Sequence, residues 1–425
     1  MNMLQIIETI AVVPTLFLLI VILLQYSILI LIPKRKNPGK FKSSVSIIIP
    51  AHNEGMYLEK TINSVLSCGY VGKKEIIVID DGSTDNTPEI IKKYEKRRLI
   101  KSIRTDHIGK SRAVNRALKL AKNEIIVTVD GDTKVEKGSL DSLLAPFYDE
   151  KVAATTAAIK IANTNKFITW FQRVEYIYFS FYKSLCDRLN AIIWVSGTLS
   201  AIRKKFIMHE KGYSSKTFVE DIDLALRLIK KGYKIRFVPD ATASTFAPET
   251  IKSLAKQRLR WLRGGIQIVK KYFKFFFNRK YFGPGFFSLP LMLYWYWHSL
   301  VMGLLILLQI AVGYYNYFYI YGNVLSFEVI KYFFYWFSVF GIINLFYQIL
   351  IGNFPLTFLS ALNIIVVGLT YFIYIYSMRY FREKITIKDI IALIFMFPYW
   401  ILIMSIQIFS NVEWFKTKSK NWWNK

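Results

Sequence analysis

The sequence predicts an α/β domain built on a mostly parallel sheet and joined to transmembrane and interfacial α-helices. Three observations predict this fold class. Short β-branched runs alternate with helix-like stretches over residues 45–246, an apolar run at residues 9–32 precedes them, and several long apolar stretches follow. Such alternation is typical of a sheet with helices on both faces. The runs VSIIIP, EIIVID and EIIVTVD lack polar alternation, which indicates strands buried on both sides.

The first apolar run, residues 9–32, is long enough to cross a bilayer as a helix. A cleaved signal peptide is the alternative. The run is too long for one, lacks a basic start and has no small-residue cleavage site. We therefore predict an uncleaved transmembrane helix in residues 1–33. Lys34, Arg35 and Lys36 follow it, and this cluster of basic residues predicts that the next domain is cytoplasmic.

Further apolar stretches near the length of a span occur at roughly residues 288–313, 330–351, 356–378 and 389–410. An even number of spans returns the chain to the cytoplasm, in agreement with the lysines at 416–425. The basic residues of 379–388 would then lie outside, against the positive-inside tendency. We therefore predict three or four spans in residues 286–425, with an interfacial or re-entrant stretch as the reason for the lower number.

The net charge of +28 narrows the classes of partner, and the first 285 residues hold +23 of it. Nucleic acid, an anionic membrane surface and a phosphate-bearing substrate would each suit such a basic chain. No nucleic-acid-binding motif is present, so we expect no nucleic-acid partner. In residues 248–285, lysines interleave with aromatic residues, which predicts amphipathic helices lying at the lipid bilayer.

Acidic residues follow two strands of the predicted sheet. Asp80 and Asp81 end the first in IDDGSTDNT, and Asp130 and Asp132 follow the second in VTVDGDT. Ligands of open parallel sheets bind beyond the carboxyl ends of the strands. Two carboxylates separated by one glycine can converge on Mg²⁺ or Mn²⁺, which usually shares its coordination with substrate phosphates. Turn formation, with Asp85 capping a helix, is the alternative; two acidic strand ends on one edge favour function.

A third acidic motif, FVEDIDLALRLIKKG, places Glu220 and Asp221 near a predicted helix start. Acidic residues are favourable there through the helix dipole, which is the structural interpretation. The functional interpretation is a general base, because an ionised carboxylate can accept the proton of an attacking hydroxyl. By itself the motif is weak evidence for the functional interpretation.

In the basic motif KQRLRWLRGG, Gln257 and Trp261 share one helix face and Arg260 lies next to it. Arginine can bind phosphate oxygens bidentately and stabilise a departing diphosphate, while tryptophan can stack on a sugar. A helix on lipid headgroups is the alternative. It accounts for the other basic residues but not for a glutamine on the tryptophan face.

Five short motifs occur in a fixed order between the first span and the later ones. They are PAHNE (50–54), DDGS (80–83), DGD (130–132), VED (219–221) and QRLRW (257–261). Together, over roughly residues 45–285, they resemble the processive, membrane-integrated family 2 glycosyltransferases. VSGTLSAIRKKFI, PET and QRLRWLRGG resemble poly-N-acetylglucosamine synthases more than hyaluronan, chitin or cellulose synthases. The resemblance implies a cytosolic, Rossmann-like GT-A-type domain at residues 34–247, followed by interface helices at 248–285.

The resemblance also implies roles for individual residues. Those that would bind the nucleotide sugar are Asn53, Glu54, Asp81, Lys110 and Asp130. Those that would bind the diphosphate and the acceptor are Gln257, Arg258, Arg260 and Trp261. Asp130 and Asp132 would hold Mg²⁺ or Mn²⁺, and Asp221, with Glu220 beside it, would be the catalytic base. Val219 stands where the family usually has threonine, so the residue before the pair has no hydroxyl.

The function implied by the resemblance is that of a processive inverting glycosyltransferase in the cell membrane. It would polymerise a UDP-sugar, with UDP-N-acetylglucosamine as the expected donor, into a β-linked polysaccharide and export it, with room for accessory export or regulatory subunits. One alternative is a transferase that adds one sugar to a lipid carrier, but such enzymes usually lack QRLRW. A nucleotide-sensing transporter is the other, and the DGD motif disfavours it. An export path predicts polar groups within the spans, such as Asn344, Gln348 and Asn363.

Overall fold

The computed structural model of the protein describes residues 3–35, 39, 41–322 and 324–416. Lys36 and the tail residues Lys418, Lys420 and Lys425 lie outside the described residues. The strands are β1 (Val45–Ala51), β2 (Lys74–Asp81), β3 (Lys101–Thr105), β4 (Ile125–Val129), β5 (Thr133–Val135), β6 (Val152–Ile161), β7 (Leu199–Arg203) and β8 (Lys234–Thr245). The helices of the α/β domain and its junction with the membrane part are α1 (Met3–Leu31), α2 (Leu58–Leu66), α3 (Thr87–Lys96), α4 (Lys110–Leu120), α5 (Ser139–Leu144), α6 (Phe167–Arg188), α7 (Lys204–His209), α8 (Glu220–Lys230) and α9 (Ile251–Lys271). The later helices are α10 (Leu289–Tyr314), α11 (Phe327–Phe337), α12 (Phe340–Leu350), α13 (Phe358–Tyr380), α14 (Ile387–Ile394) and α15 (Met396–Lys416).

The sheet of the α/β domain has the strand order β3-β2-β1-β4-β7-β6-β8-β5. Strands β3, β2, β1 and β4 are parallel, as is the β6–β8 pair, whereas β4–β7, β6–β7 and β5–β8 are antiparallel. The prediction of a mostly parallel sheet therefore holds for one half only, and the sheet is mixed. The second half differs because β7 lies between β4 and β6 and runs antiparallel to both.

Strands β1, β2 and β4 of the parallel half are buried on both faces, as the unbroken apolar runs predict, whereas the edge strand β3 is partly exposed. Ile47 and Ile49 of β1 belong to one buried cluster, together with residues of α2, α3 and α5. Ile48 of the same strand belongs to another, with residues of α4, α6 and α8. Since both faces of the sheet are covered by packing, the carboxyl ends of the strands are left as the place for a ligand.

The α/β domain and the membrane part share one of these buried clusters. It contains Ile22 and Ile28 of α1 and Val366 of α13, as well as Phe181 of α6 and Ile48 of the sheet. Apolar side chains that pack in one cluster hold their helices and strands together. The first apolar helix is thus packed directly on the domain that follows it.

Three helices are long and apolar enough to cross a membrane: Ile6–Leu31, Pro284–Tyr319 and Phe358–Tyr380. Two bent pairs pass the same test together, Phe327–Phe337 with Phe340–Leu350 at 105° and Ile387–Ile394 with Met396–Phe409 at 62°. Three to five segments of the described chain therefore have the length and composition of spans. Two of the apolar stretches predicted as spans are broken helices.

The basic segment 379–388 lies against the α/β domain. Arg173 of α6 forms a 2.9 Å ion pair with Glu383, and the Nζ of Lys388 donates a 2.8 Å hydrogen bond to the carbonyl of Thr164. This segment therefore packs on the α/β domain. A count of four straight spans would have put it across the membrane from that domain, which is why the sequence also allows an interfacial or re-entrant stretch. The stretch around residues 330–351 bends by 105° between α11 and α12 and does not form one straight crossing.

Candidate active site

A cavity of about 1050 Å³ joins the carboxyl ends of the strands to the membrane helices. Its wall at the sheet edge includes Lys110, Asp130, Asp132, Glu220 and Asp221. Helix α9 adds Gln257, Arg258, Arg260 and Trp261. The apolar helices add the polar side chains Thr15, Gln25, Gln309, Asn363 and Gln407. One continuous space thus contains acidic, basic and aromatic groups from distant parts of the chain.

The acidic turn after β4 carries more negative charge than its one cation neutralises. The Nζ of Lys110 lies 2.5 Å from a carboxylate oxygen of Asp130. Burial disfavours the ammonium, but Asp130 and Glu220 outweigh burial and raise the pKa of Lys110 to about 12. Burial and Asp130 raise the pKa of Asp132. Burial, followed by Asp132 and Asp130, raises the pKa of Glu54 to about 7. The turn is therefore a favourable place for an additional positive charge.

A divalent cation fits this turn only if substrate supplies part of its coordination. Within the described residues, no group of three or more His, Cys, Asp or Glu side chains is arranged to hold a metal ion. Asp130 and Asp132 offer two carboxylates, and Mg²⁺ often binds through one or two carboxylates plus substrate phosphates. Burial and then the neighbouring carboxylate of Asp130 raise the pKa of Asp132, and a bound cation would oppose that rise.

Asn53 and Asp81 do not line the cavity; each accepts a hydrogen bond that fixes a loop. Asn53 has a φ of 56°, and its Oδ1 accepts a 2.8 Å hydrogen bond from the backbone N–H of Thr84. Asp81 is only 3% exposed, and its Oδ2 accepts a 2.8 Å hydrogen bond from the N–H of Gly109. Gly109 immediately precedes Lys110, the first residue of α4. The carboxylate of Asp81 therefore fixes the loop that delivers Lys110 to the cavity.

The two acidic residues at the start of α8 have the properties of a base and its neighbour. Oδ1 of Asp221 accepts a 2.9 Å hydrogen bond from the N–H of Ile222. Burial and Glu220 raise the pKa of Asp221 to about 6, although Lys110 and Arg260 oppose the rise. Asp221 is therefore ionised at neutral pH and more basic than an ordinary aspartate. Asp221 lies in the same cavity wall as Asp132 and Arg260.

Helix α9 begins with a capping box between Thr250 and Ser253. Its side that carries Gln257 and Trp261 reaches the cavity. Arg260 lies in the wall, and Trp261 keeps 36% of its surface exposed. Oε1 of Gln257 is buried and has no hydrogen-bond partner within the described residues. An unsatisfied buried acceptor is costly, so a bound ligand that donates a hydrogen bond there would be stabilised.

Arg258 is engaged inside the protein. Its two terminal nitrogens each lie 2.7 Å from a carboxylate oxygen of Glu175, and the hydroxyl of Tyr399 donates a 2.5 Å bond to the same carboxylate. Leu254, Arg258 and Leu262 are spaced by four residues and form the buried side of α9. The structure thus separates the guanidinium of Arg258 from that of Arg260 and uses it to tie α9 to α6 and α15.

We expect Arg258→Met to destabilise the protein by about 3–5 kcal/mol, because Glu175 would remain buried without its cation. Chemical unfolding of the purified full chain, followed by tryptophan fluorescence, measures the change. The matched control is Lys252→Met, on the exposed side of the same helix. Adding Glu175→Met should recover most of the loss. A single variant as stable as the control would show that the ion pair contributes little.

Lys183 of α6 is a residue of the cavity wall that sequence reasoning missed. It is 4% exposed, and its Nζ lies 4.9 Å from the ring centre of Phe179. Burial lowers the pKa of Lys183 to about 8, while Asp221 opposes the shift. The signal that could have found it is a single lysine inside the aromatic stretch EYIYFSFYKSLC. Buried lysines are rare unless paired, so the position merits a functional explanation.

The membrane side of the cavity matches the predicted polar residues only in part. Asn363 lies in its wall, whereas Asn344 and Gln348 do not. Gln25 and Gln407 line it instead, and Oε1 of Gln407 is buried without a hydrogen-bond partner among the described residues. Polar side chains that are buried among apolar helices often mark a path for polar ligands. The sequence could locate such residues but not the face of the helix that each one occupies.

The two glycines of LRGG bring α9 close to two neighbours. A Cβ atom on Gly264 would lie 2.6 Å from Cγ1 of Val219, the residue before the Glu-Asp pair. A Cβ atom on Gly265 would lie 1.5 Å from Oη of Tyr296 in α10. Neither position has room for a side chain. Helix α9 is therefore in close contact with the turn before Glu220 on one side and with the apolar helix α10 on the other.

Comparison with known proteins accounts for this combination of sheet edge, acidic turns and apolar helices. The family model described as "Glycosyl transferase family 2" matches residues 46–209. The chain carries a family 2 glycosyltransferase domain. The matched residues include all of β1 but its first residue, strands β2 to β7, the DDGS and DGD motifs, Lys110 and Lys183. The predicted family resemblance is confirmed.

The relatives that share this domain are of two kinds. The chain is 34% identical over 259 residues to the probable glycosyltransferase YdaM of Bacillus subtilis (strain 168), covering 59% of this chain and 61% of the relative. It is 30% identical over 232 residues to the poly-beta-1,6-N-acetyl-D-glucosamine synthase of Staphylococcus aureus (strain COL), covering 54% and 56%. With the synthase of the same name from Staphylococcus epidermidis, identity is 28% over 396 residues, covering 90% and 86%. The first two alignments thus span little more than half of each relative.

The glycosyltransferase also resembles a solved structure in fold. The mannosyltransferase PcManGT from Pyrobaculum calidifontis, in complex with GDP-Man and Mn²⁺, matches with a TM-score of 0.62 and 16% identity. The match covers 97% of this chain and 100% of that chain. The predicted GT-A-type fold with apolar helices is confirmed.

Proposed function

We propose that the protein is a processive, inverting glycosyltransferase that polymerises UDP-N-acetylglucosamine into a β-linked polysaccharide and exports it. The observation that carries this proposal is the single cavity that contains the carboxylates of the DGD turn, Asp221 and Arg260, and continues between the membrane helices. The names of the staphylococcal relatives support the choice of sugar. The domain would be cytoplasmic and the chain would cross the cell membrane several times.

The transfer chemistry assigns each group of residues one task. Asp221 would accept the proton of the acceptor hydroxyl, whose oxygen attacks C1 of the donor sugar as the bond to the diphosphate breaks. Attack opposite to the leaving group inverts an α-linked donor into a β-linked product, so no protein nucleophile is required. Arg260 would bind the diphosphate, and Gln257 and Trp261 the acceptor. Mg²⁺ or Mn²⁺ held by Asp130 and Asp132 would supply charge neutralisation to the diphosphate.

Membrane placement follows from the charged segments. Lys34 and Arg35 follow α1, and the basic segment 379–388 contacts the α/β domain. Basic residues concentrate on the cytoplasmic side of membrane proteins. Lys34, Arg35 and the segment 379–388 would therefore lie on the cytoplasmic side, where nucleotide sugars are available. The cavity would then open from the donor site toward the bilayer.

The experiment that tests the proposal uses the purified full chain with UDP-N-acetylglucosamine and MnCl₂, followed by sizing of the product. We expect a long polymer that a β-hexosaminidase degrades, and no product from GDP-mannose or UDP-glucose. One sugar attached to a lipid and extractable into organic solvent would overturn processivity in favour of the single-addition alternative. No UDP release from any nucleotide sugar would favour the nucleotide-sensing transporter.

We expect the pH dependence of the reaction to report the base. Because the pKa of Asp221 is raised to about 6, its protonated and inactive form predominates only below that pH. The value of kcat/KM should be level above about pH 7 and fall about tenfold per unit below about pH 6. Measurement of UDP release over this pH range at saturating metal concentration checks this acidic limb of the kcat/KM profile. A limb near the pKa of a free aspartate would assign the proton to another group, and Asp221→Glu should move the limb.

A further inference from the structure

Lys183 is a largely buried side chain, 4% exposed, that has no hydrogen-bond or ion-pair partner among the described residues. Its Nζ lies 4.9 Å from the ring centre of Phe179. The side chain lies in the wall of the large cavity, close enough to Asp221 for the two charges to interact. An ammonium that leaves water needs hydrogen-bond acceptors. A ligand in the cavity can therefore supply the acceptors that the described residues do not.

Aromatic rings surround the same part of the wall. Phe179 and Tyr182 pack against Trp194, with ring centres 5.5 Å and 6.0 Å apart in edge-to-face arrangements. All three side chains line the cavity. Flat aromatic faces next to a hydrogen-bond donor suit a sugar ring, which presents an apolar C–H face and a rim of oxygen atoms. The three rings and Lys183 therefore have the composition of a saccharide subsite.

We propose that Lys183, together with Phe179, Tyr182 and Trp194, forms a subsite for the acceptor saccharide beside the base, in which the ammonium donates hydrogen bonds to sugar oxygens. This inference rests on the proposed glycosyltransferase function and extends it to a motif that the sequence pattern did not single out. A different role for Lys183, as a counter-charge that sets the basicity of Asp221, makes opposite predictions and is an outcome of the test.

The test compares Lys183→Met with Lys183→Arg in the full chain, using a β-linked N-acetylglucosamine pentasaccharide as acceptor. Lys183→Met should raise the KM for the pentasaccharide about tenfold or more, since a hydrogen bond from a charged group is lost. Lys183→Arg should restore most of the affinity. The Kd for UDP with Mn²⁺, measured by calorimetry, should be unchanged in both. The matched control is Lys205→Met, because Nζ of Lys205 lies 5.0 Å from the ring of Phe206 on an exposed helix.

An unchanged KM for the pentasaccharide in Lys183→Met would overturn the subsite. If the acidic limb of the pH profile shifted in the same variant, that result would assign Lys183 to the tuning of Asp221. Failure of the proposed function itself looks different, since the unmodified protein would then elongate no acceptor at all. A thermal unfolding scan of each variant, together with its UDP affinity, confirms that the fold is retained.

A second cavity carries an independent inference. It measures about 520 Å³ and lies where the apolar helices α1 and α13 end beside the sheet. Its basic side chains are Lys34, Arg35, Arg188 and Arg236. Asp187 neutralises Arg236 through a 2.9 Å ion pair, and Arg188 caps the end of α1 by donating to the carbonyls of Leu29 and Ile32. Nε of Arg188 is buried and has no hydrogen-bond partner among the described residues.

We infer that this cavity binds a phosphate-bearing anion, and that its source is the headgroup of an anionic phospholipid. Lys34 and Arg35 leave the local charge positive, since of the cavity's two acidic residues, Asp187 and Asp240, the first is already paired. Guanidinium groups bind phosphate oxygens through paired hydrogen bonds, and ammonium groups bind them as a compact positive charge. The position at the ends of two apolar helices is the level at which headgroups lie.

The test is native mass spectrometry of the full chain released from nanodiscs that contain equal amounts of phosphatidylglycerol and phosphatidylcholine. The protein should retain phosphatidylglycerol, and Lys34→Gln with Arg35→Gln should lower that retention about fivefold or more. Lys119→Gln, an exposed lysine of α4, is the control. Equal retention of both lipids, or retention unaffected by the double variant, would overturn the site. Thermal stabilisation by inorganic phosphate in detergent, lost in the double variant, would support the anion site and assign it to a soluble phosphate.

Discussion

Asp221→Asn is expected to lower the turnover of sugar transfer by about 10²–10⁴-fold, the range associated with loss of a general base. The substitution keeps the size of the side chain and its ability to accept the hydrogen bond from the N–H of Ile222. It also removes a carboxyl whose pKa is raised by burial and by Glu220. Because the folded protein disfavours the ionised form of that carboxyl, its loss should not lower stability. Release of UDP from UDP-N-acetylglucosamine, measured with Mn²⁺ and acceptor present, reports the effect.

The control for this experiment is Glu150→Gln, which removes one exposed carboxylate far from the cavity. Its turnover should equal that of the unmodified protein, and both variants should unfold at temperatures close to it. If Asp221→Asn kept more than about a tenth of the turnover, the base would have to be another group. Glu220→Gln then becomes the informative variant, because Glu220 is the neighbouring carboxylate in the same wall.

Asp132→Asn is expected to lower turnover by about 10²–10³-fold, because a metal site with two protein carboxylates would lose one of them. Removal of divalent ions from the unmodified protein with EDTA should have an effect of similar size, reversed by added Mn²⁺. The variant should also lose most of the thermal stabilisation that Mn²⁺ and UDP together give to the unmodified protein. A differential scanning fluorimetry titration of MnCl₂ in the presence of UDP measures this directly.

The sign of the stability change without metal distinguishes this site from an ordinary structural one. The pKa values of Asp132 and Glu54 are raised, so protonation of these carboxyls favours the folded state and their ionisation disfavours it. Stability that they contribute at low pH is lost as pH rises, for Glu54 through about 7. Asp132→Asn should therefore be at least as stable as the unmodified protein at neutral pH in EDTA. A strongly destabilised variant that still responds fully to Mn²⁺ would place the metal elsewhere.

The sequence predicts the parts of the fold that depend on local pattern. The unbroken apolar runs identify β1, β2 and β4 as strands buried on both faces, and their ends place Asp81 and Asp130 at one edge. The antiparallel pairing of β7 with β4 is not local, since the partners are about seventy residues apart. Pairing between strands so far apart in sequence depends on which sheet edge is left unpaired, and the local pattern does not record this.

The side chains of α9 show the same division between local and distant information. Helical spacing puts Gln257 and Trp261 together, and it also groups Arg258 with Leu254 and Leu262 on the buried side. The partner that satisfies Arg258, Glu175, lies on α6 and 83 residues away. Nothing in the motif reveals that partner, so the ion pair of Arg258 cannot be predicted before the tertiary contacts are known.

Hydropathy identifies apolar stretches but not their shape. The stretch around residues 330–351 has the composition of a span, yet it bends by 105° between α11 and α12. The bend is held by the hydroxyl of Ser338, which donates a 2.7 Å bond to the carbonyl of Phe334. A 2.9 Å bond from the N–H of Val339 to the carbonyl of Ile394 also holds it. A sliding average of apolar character contains no information about such contacts.

The missing side chains at Gly264 and Gly265 have a mechanical consequence. Val219 and Tyr296 both press directly on the backbone of α9, and tightly packed interiors transmit strain because they have little free volume. A sideways shift of α10 at Tyr296 would therefore displace α9, and α9 would in turn press on the residue that precedes Glu220 and Asp221. Under the proposed function, the width of the space between the apolar helices and the position of Asp221 would thus be mechanically coupled through Gly264 and Gly265.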